Sequence, residues 1–559
     1  MHARSASTRR PISLRALVIG LALVMALPAS SLGANGHPNP TAKYVNLSPA
    51  VQAAGGLIVP LINSGQTLDK VTFEGIPDGL GVKPVGNGRR FVDIFVAFEQ
   101  SHVPFGGFAD FEDSSVQRAR LDLRTMQLTK LDEVLPPTAG FIRFCSAFMA
   151  GPDQGFDDYT FFVNEESNDV LDVPAGAPYG ADPALTPYRQ AGYSVYLDVD
   201  DGIYDEIPSL GRHNHENTVI VPGGWDQVVT LSGDDTFDAP SSQLYLNLAD
   251  SLDGLKAGAG DLYGFQVTGT DDGPLDDPAD PFNGANDYHE IAVGDTWSGR
   301  FIPVPDEIAR GLTNVAPQKA LEDWSNANNV FQFIRVEDIA YDPDDPNVVY
   351  FADTGERRAL PDDVWTTLDT RGGTVDRSET GRLHRGLDRV PTDTTQPQVW
   401  PADPNGVHAR GRVFQMELSA DNPLVVDAFS VLHDADTTMA DGVTNMRNPD
   451  NLDVNSASIM VQEDASNAKI WRYDRDANTW AIVANVTHPT APAAGESSGI
   501  IDMSDWIGAG WWALDVQSHV NLPGTQGPFT YTVPITDAQI TYTARREDGQ
   551  LLLMYVPGS

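Results

Sequence analysis

Apolar residues in this chain fall in short runs, bounded by Gly, Pro, Asn and Asp, and helical periodicity is scarce after residue 35. Examples are Phe91-Val-Asp-Ile-Phe-Val-Ala-Phe, Thr218-Val-Ile-Val, Gln227-Val-Val-Thr-Leu, Val348-Val-Tyr-Phe, Ala457-Ser-Ile-Met-Val-Gln and Leu551-Leu-Leu-Met-Tyr-Val. Runs of this length between turn residues predict strands, and many of them over 500 residues predict an all-β fold, a propeller or a large sandwich. One recurring pattern favours a β-propeller with long insertions between strands. A Pro-Asp or Asp-Pro turn leads into a strand that ends in Tyr-Phe or Met-Val, and a small or acidic cluster follows. It occurs at Asp342–Asp353 and at Asn448–Asp464, with a weaker version from Ser232 to Leu246. The spacing of about 100 residues suits alternating blades separated by insertions. Residues 168–190, 271–290 and 355–405 read as excursions from the core, either functional lids or loose surface.

Composition changes this picture little: Gly and Pro make up about 16% of the chain against a usual ~12%, as in a loop-rich globular protein. Charge changes it more. The net charge of −42, from 78 acidic against 36 basic residues, would repel phosphate backbones and excludes nucleic acid as a natural partner. Such acidity serves as a solvated surface or supplies carboxylates for divalent cations. Arg4, Arg9 and Arg10 precede an uncharged apolar run from Ala16 to Pro28, with small residues through Ala34. That predicts a signal peptide over 1–34, cleaved near Ala29 or Ala34. It leaves one propeller domain over 35–559, periplasmic or secreted, with no membrane segment in its mature form.

Five clusters are candidates for chemistry. Phe141-Ile-Arg-Phe-Cys145-Ser-Ala carries the only cysteine, and Tyr159-Thr-Phe-Phe-Val-Asn164-Glu165-Glu166 follows it. A lone cysteine cannot form an internal disulfide, so Cys145 is either a small buried apolar residue or a thiolate ligand. Gly211-Arg-His-Asn-His215-Glu216-Asn217 enters a strand, as a polar turn or as a donor of Glu216. In Arg335-Val-Glu337 the first and third side chains share a face of an extended backbone. They form either a surface ion pair or a grip in which Arg335 holds a phosphate oxygen and Glu337 a cation. Asn448-Pro-Asp450-Asn451-Leu-Asp453 is an oxygen-rich turn that suits calcium, and Gln462-Glu463-Asp464 ends the next strand. A propeller would gather such sequence-distant strand ends around one channel.

Taken in order, Cys145-Ser, Asn164-Glu-Glu166, Gly211-Arg-x-x-His-Glu216, Gly233-Asp-Asp235, Leu262-Tyr-Gly, Arg335-x-Glu-Asp338, Pro449-Asp-Asn451, Val461-Gln-Glu-Asp464 and Trp512-Ala-Leu-Asp515-Val-Gln-Ser-His519 resemble the PhoX-type alkaline phosphatases. The resemblance spans roughly residues 140–520 and is closer to a less-described branch, with Val336 where better-described members carry proline. It implies an exported propeller that hydrolyses phosphate monoesters at calcium and iron ions in its channel. Residue by residue, it implies that Cys145 ligates iron and that Glu165, Glu166 or both bind metal. Glu216, Glu337 and Asp450 would bind metal too, and Arg335 would grip phosphate. Cys145, Glu216 and Arg335 would then carry catalysis on a small phosphate ester, in a monomer. The rivals are a calcium-dependent lactonase or phosphodiesterase on the same architecture, which needs no thiolate, and a non-catalytic extracellular calcium-binding protein.

Overall fold

The computed structural model describes residues 37–559 except 105–107, 168, 173–187, 236–241, 281–282, 289, 314–316, 356–365, 369–373, 377–409, 436–444 and 533–537. Residues His37–Ser559 form one compact unit. The segment expected to be a signal peptide lies outside the described residues, as does most of the 168–190 and 355–405 excursions.

Period-two sorting of side chains builds the fold. In Phe91–Phe98, Val92, Ile94, Val96 and Phe98 pack into one buried cluster with Ala513, Leu551 and Leu553. Phe95 and Ala97 point the other way, into a second cluster with Phe144, Phe161 and Val195. A strand apolar on both faces is stable only between two other sheets. Repeated around the chain, that requirement yields a ring.

Among the described residues six blades follow one another, each of four strands except the fifth, which has five because Val45–Leu47 pairs with its outer strand Thr479–Val486. Their inner strands are Pro77–Val85, Phe144–Ala150, His215–Val221, Val336–Tyr341, Pro449–Val454 and Glu496–Asp502. Each inner strand packs against the next, and the sixth returns to the first. The fold is a β-propeller. Leu57–Asn63 from the N-terminal side pairs with Glu547–Tyr555, so strands from both ends of the chain close blade 6. Blades 3 and 4 are joined edge to edge, because Trp297–Pro303 pairs with the outer strand of each. Between them lies an aromatic core that includes Phe265, Phe331, Phe333, Phe351, Phe414 and Phe429.

The repeated sequence pattern has a different meaning from the one expected. Val348–Asp353 and Ser458–Glu463 are the second strands of blades 4 and 5, which are neighbours rather than alternates. The long spacing arises inside blade 4, between its second strand and Arg412–Ser419. The weaker copy ends in Leu244–Ala249, the third strand of blade 3. The 271–290 excursion is tied to the core through a bridge between Asp287 and Gln332.

Candidate metal centre

One backbone irregularity repeats in all six blades. Pro77 pairs with Phe98 and Leu80 with Val96, so three steps on the inner strand match two on its neighbour. The same register holds for Phe144/Glu165 and Ala147/Val163, for His215/Asp234 and Thr218/Ser232, for Val336/Asp353 and Ile339/Phe351, and for Pro449/Glu463 and Leu452/Val461. In blade 6 the shift falls one residue later, between Ser498/Asp515 and Ile500/Leu514. Each is a β-bulge, which re-aims the side chain of the extra residue. In blades 1 to 5 the second residue of each bulge is, in order, Asp78, Cys145, Glu216, Glu337 and Asp450. Ile76, Arg143 and Asn448, which precede three of these bulges, have φ of 52°, 50° and 48°. For an isoleucine or an arginine that is a strained conformation, of the kind found clustered at functional sites.

A second set comes from the neighbouring strands. Glu99, Glu166, Asp235, Thr354 and Asp464 each directly follow the residue that pairs with the start of a bulge. The two sets meet. Single side-chain atoms of Asp78, Glu99 and Cys145 lie within 4.8 Å of one another. So do those of Cys145, Glu166 and Glu216, and those of Glu216, Glu337 and Asp450. Cys145 and Glu216 are each shared by two groups, which makes the three groups one chain of ligand atoms across blades 1 to 5.

The cluster is held from behind. Ser146 donates to Glu216 Oε1 at 2.7 Å and accepts from Asn451 at 3.0 Å. Asn164 donates to the backbone carbonyls of Ser146 and Glu216, both at 3.1 Å. Gln517 donates to Asp78 Oδ2 at 2.8 Å and to Glu99 at 3.2 Å. Other oxygens are left over: Asp78 Oδ1 and Glu216 Oε2 are buried and meet no N–H or O–H donor among the described residues. Two carboxylates 4.8 Å apart repel by about 3.5 kcal/mol at an effective dielectric of ~20. Burial and neighbouring charge accordingly drive protonation. Burial, against the Ser146 hydrogen bond, pushes Glu216 up to about 7. Burial and then Asp235 raise Glu166, burial and then Glu216 raise Asp450, and burial and then Asp78 raise the Cys145 thiol. Such a cluster either keeps its protons or takes up cations. Its hard carboxylates with one soft thiol suit a mixed set.

The structure separates the expected residues. Cys145, Glu166, Glu216, Glu337 and Asp450 are brought together. Glu165 is not with them: strand alternation turns it to the opposite face, where Arg189 holds both its oxygens at 2.8 and 2.5 Å, with both side chains fully buried. Of the two glutamates, one or both of which were expected at the metal, Glu166 is the one whose side chain lies in the cluster, and Glu165 sits in a buried ion pair with Arg189. Arg335 does share a face with Glu337, 3.4 Å away, but its main partner is Asp235, which it grips through Nε at 2.6 Å and through Nη2. Asp78 and Glu99 were not among the expected residues. The signal for Asp78 was available, since Pro77-Asp78-Gly79-Leu80 repeats the Pro-Asp-x-Leu of Pro449-Asp450-Asn451-Leu452.

No family model and no curated protein sequence matches this chain. Among solved structures, PhoX of Pseudomonas fluorescens, in complex with the transition state analogue vanadate, superposes with a TM-score of 0.56 at 14% identity over 93% of this chain and 97% of that one. The periplasmic gluconolactonase PpgL of Pseudomonas aeruginosa covers 88% of this chain and 91% of its own, with 10% identity and a TM-score of 0.34. The PQQ-bound aldose sugar dehydrogenase of Streptomyces coelicolor covers 89% and 99%, with 10% identity and a TM-score of 0.30. What the chain shares with PhoX at this identity is the fold. Among the described residues no helix is long and apolar enough to cross a membrane.

Proposed function

We propose that this chain is an exported, metal-dependent phosphatase, acting as a single propeller domain on small phosphate monoesters with calcium and iron held in its channel. The observation that carries the reading is the chain of ligand atoms from Asp78 to Asp450, with a thiol shared by two of its groups and a guanidinium fixed beside it. The all-oxygen trio of Glu216, Glu337 and Asp450 suits calcium, and the trio containing Cys145, Glu166 and Glu216 suits iron. Bound cations would neutralise the charge that develops on phosphoryl oxygens, so no serine or threonine nucleophile is required.

The protein's own residues orient and exclude. Ser146 and Asn164 fix Glu216, and Asp235 holds Arg335 so that its charge faces the space beside Glu337. A guanidinium held in place beside the cluster is suited to meet a phosphoryl oxygen. The lactonase reading rests on the same Glu216–Glu337–Asp450 trio, which needs no thiol.

Protein purified from the exported fraction without chelator is expected to contain both calcium and iron and to hydrolyse p-nitrophenyl phosphate. Cys145→Ala and Glu216→Ala, if folded, should each abolish turnover. Full phosphatase activity in either variant would overturn the reading, and lactone hydrolysis indifferent to Cys145 would favour the lactonase.

A further inference from the structure

Glu216, Glu337 and Asp450 come from three neighbouring blades, so their spacing depends on what holds those blades together at this depth. In blades 3 and 4 the residue after the ligand, at the third position of the bulge, is Asn217 or Asp338, and both are buried. Asp338 reaches in both directions. Its Oδ1 accepts from the side-chain amide of Asn217 in blade 3 and from the Ile339 backbone N–H at 2.8 Å. Its Oδ2 accepts from the Leu452 backbone N–H in blade 5 at 3.0 Å. Asn217 directly follows Glu216, and Leu452 lies two residues after Asp450. One carboxylate from blade 4 therefore joins the chain beside Glu337 to the chain beside each of the other two ligands. Asp353 of the same blade offers a contrast. It is also buried and also accepts three backbone N–H groups, from Ile334 at 2.8 Å, Arg335 at 3.3 Å and Gly355 at 2.9 Å, but all of them belong to segments flanking its own blade's strands.

Apolar packing between blades is non-directional and permits small slides, whereas a hydrogen bond fixes both a distance and an angle. The constraint matters most without a cation, when the three ligand carboxylates repel one another and favour a wider spacing. Calcium affinity depends on the charge of the ligands and on how rigidly they are presented. We propose that Asp338 is a positioning residue for the Glu216–Glu337–Asp450 trio: by bridging blades 3, 4 and 5 it holds the three carboxylates at one spacing before a cation arrives, and so sets the trio's affinity for calcium. The inference rests on the reading of that trio as a calcium site. Asp338 acts through its neighbours, since both its oxygens already face N–H donors.

Calorimetric titration of calcium chloride into the whole, metal-stripped protein tests this, with the binding event that Glu337→Gln removes taken as the trio's. An amide at 338 has one acceptor oxygen, which cannot serve both Asn217 and Leu452. Asp338→Asn is therefore expected to weaken that event about tenfold, as when a partner behind a metal ligand is lost. Asn217→Leu removes the blade 3 donor without changing any charge and should weaken the event in the same direction. Asp353→Asn should leave the calcium affinity unchanged, whatever it does to the unfolding midpoint. An unchanged affinity in Asn217→Leu would overturn the inference, because any effect of Asp338→Asn would then be one of charge. So would an unchanged affinity in Asp338→Asn, or an equal loss in Asp353→Asn, which would mean general loosening of blade 4. A wild-type protein with no calcium event dependent on Glu337 would remove the trio reading itself, and the inference with it. Should Asp338→Asn fail to fold, Asn217→Leu and Asp353→Asn still decide the matter.

Discussion

Two adjacent glutamates with opposite fates show how finely the centre is specified at the scale of single residues. Glu166 joins Cys145 and Glu216, while Glu165 is locked to Arg189 on the other face of the blade. Replacing one partner of a fully buried ion pair costs about 3–5 kcal/mol, because the remaining charge stays in a dry interior. Glu165→Gln is therefore expected to lower the thermal unfolding midpoint while leaving the metal content per folded molecule unchanged. Glu166→Gln should do the reverse, cutting bound metal with little loss of stability in the stripped protein. Elemental analysis paired with thermal unfolding separates the two; a variant of Glu165 that lost metal and kept its midpoint would reverse the assignment. Cys145→Ser divides the metals in the same way. It is expected to lose iron selectively and keep calcium at Glu216, Glu337 and Asp450, since a hydroxyl is a poor substitute for a thiolate toward iron.

At the scale of elements, the bulge is what turns six ordinary strands into a site. It needs close backbone approach between blades, and Gly79 supplies it. A Cβ there would sit 2.4 Å from the Ala147 amide nitrogen and 2.6 Å from the Cys145 carbonyl oxygen. Gly79→Ala is thus expected to cost about 1–3 kcal/mol and to push Cys145 away from Asp78, with iron binding falling before calcium binding. A variant with unchanged metal content and unfolding midpoint would show that the blades have slack here. The strands themselves were legible, because period-two alternation and turn residues act locally. Cys145, Glu216, Glu337 and Asp450 stood in candidate clusters, but it was the resemblance that joined them, and the structure brings their side chains together. The bulge register was not legible, since one extra residue in a ladder leaves no mark until both strands are paired. Without it, Glu165 and Glu166 looked alike, and neither Asp78 nor Glu99 stood out. Blade order suffered similarly, because insertions inside blade 4 stretched the repeat between neighbours.

At the scale of the whole molecule, the excess of acid has a thermodynamic consequence. Burial pushes Asp353 and Asp453 up to about 7, and Glu216 reaches about 7 within the cluster. Below pH ~4 such carboxyls are neutral in the folded and the unfolded chain alike. Between there and pH 7 the unfolded chain releases its protons first, so the folded state loses stability as pH rises, and the loss is complete above the folded value. For Asp353 alone, a rise from 3.8 to about 7 corresponds to roughly 4 kcal/mol. The metal-stripped protein is therefore expected to be more stable near pH 4 than at pH 6, and to lose its unfolding midpoint steadily toward pH 8. Cations act in the opposite sense, since they bind the deprotonated ligands and must displace protons to do so. Excess calcium should raise the midpoint strongly at pH 8 and weakly at pH 5, while Asp353, outside the cluster, keeps its share of the penalty. Calcium stabilisation of equal size at both pH values would mean that the cluster's carboxyls are already ionised at pH 5. No stabilisation at either would mean that the carboxylates across blades 1 to 5 keep their protons and hold no calcium.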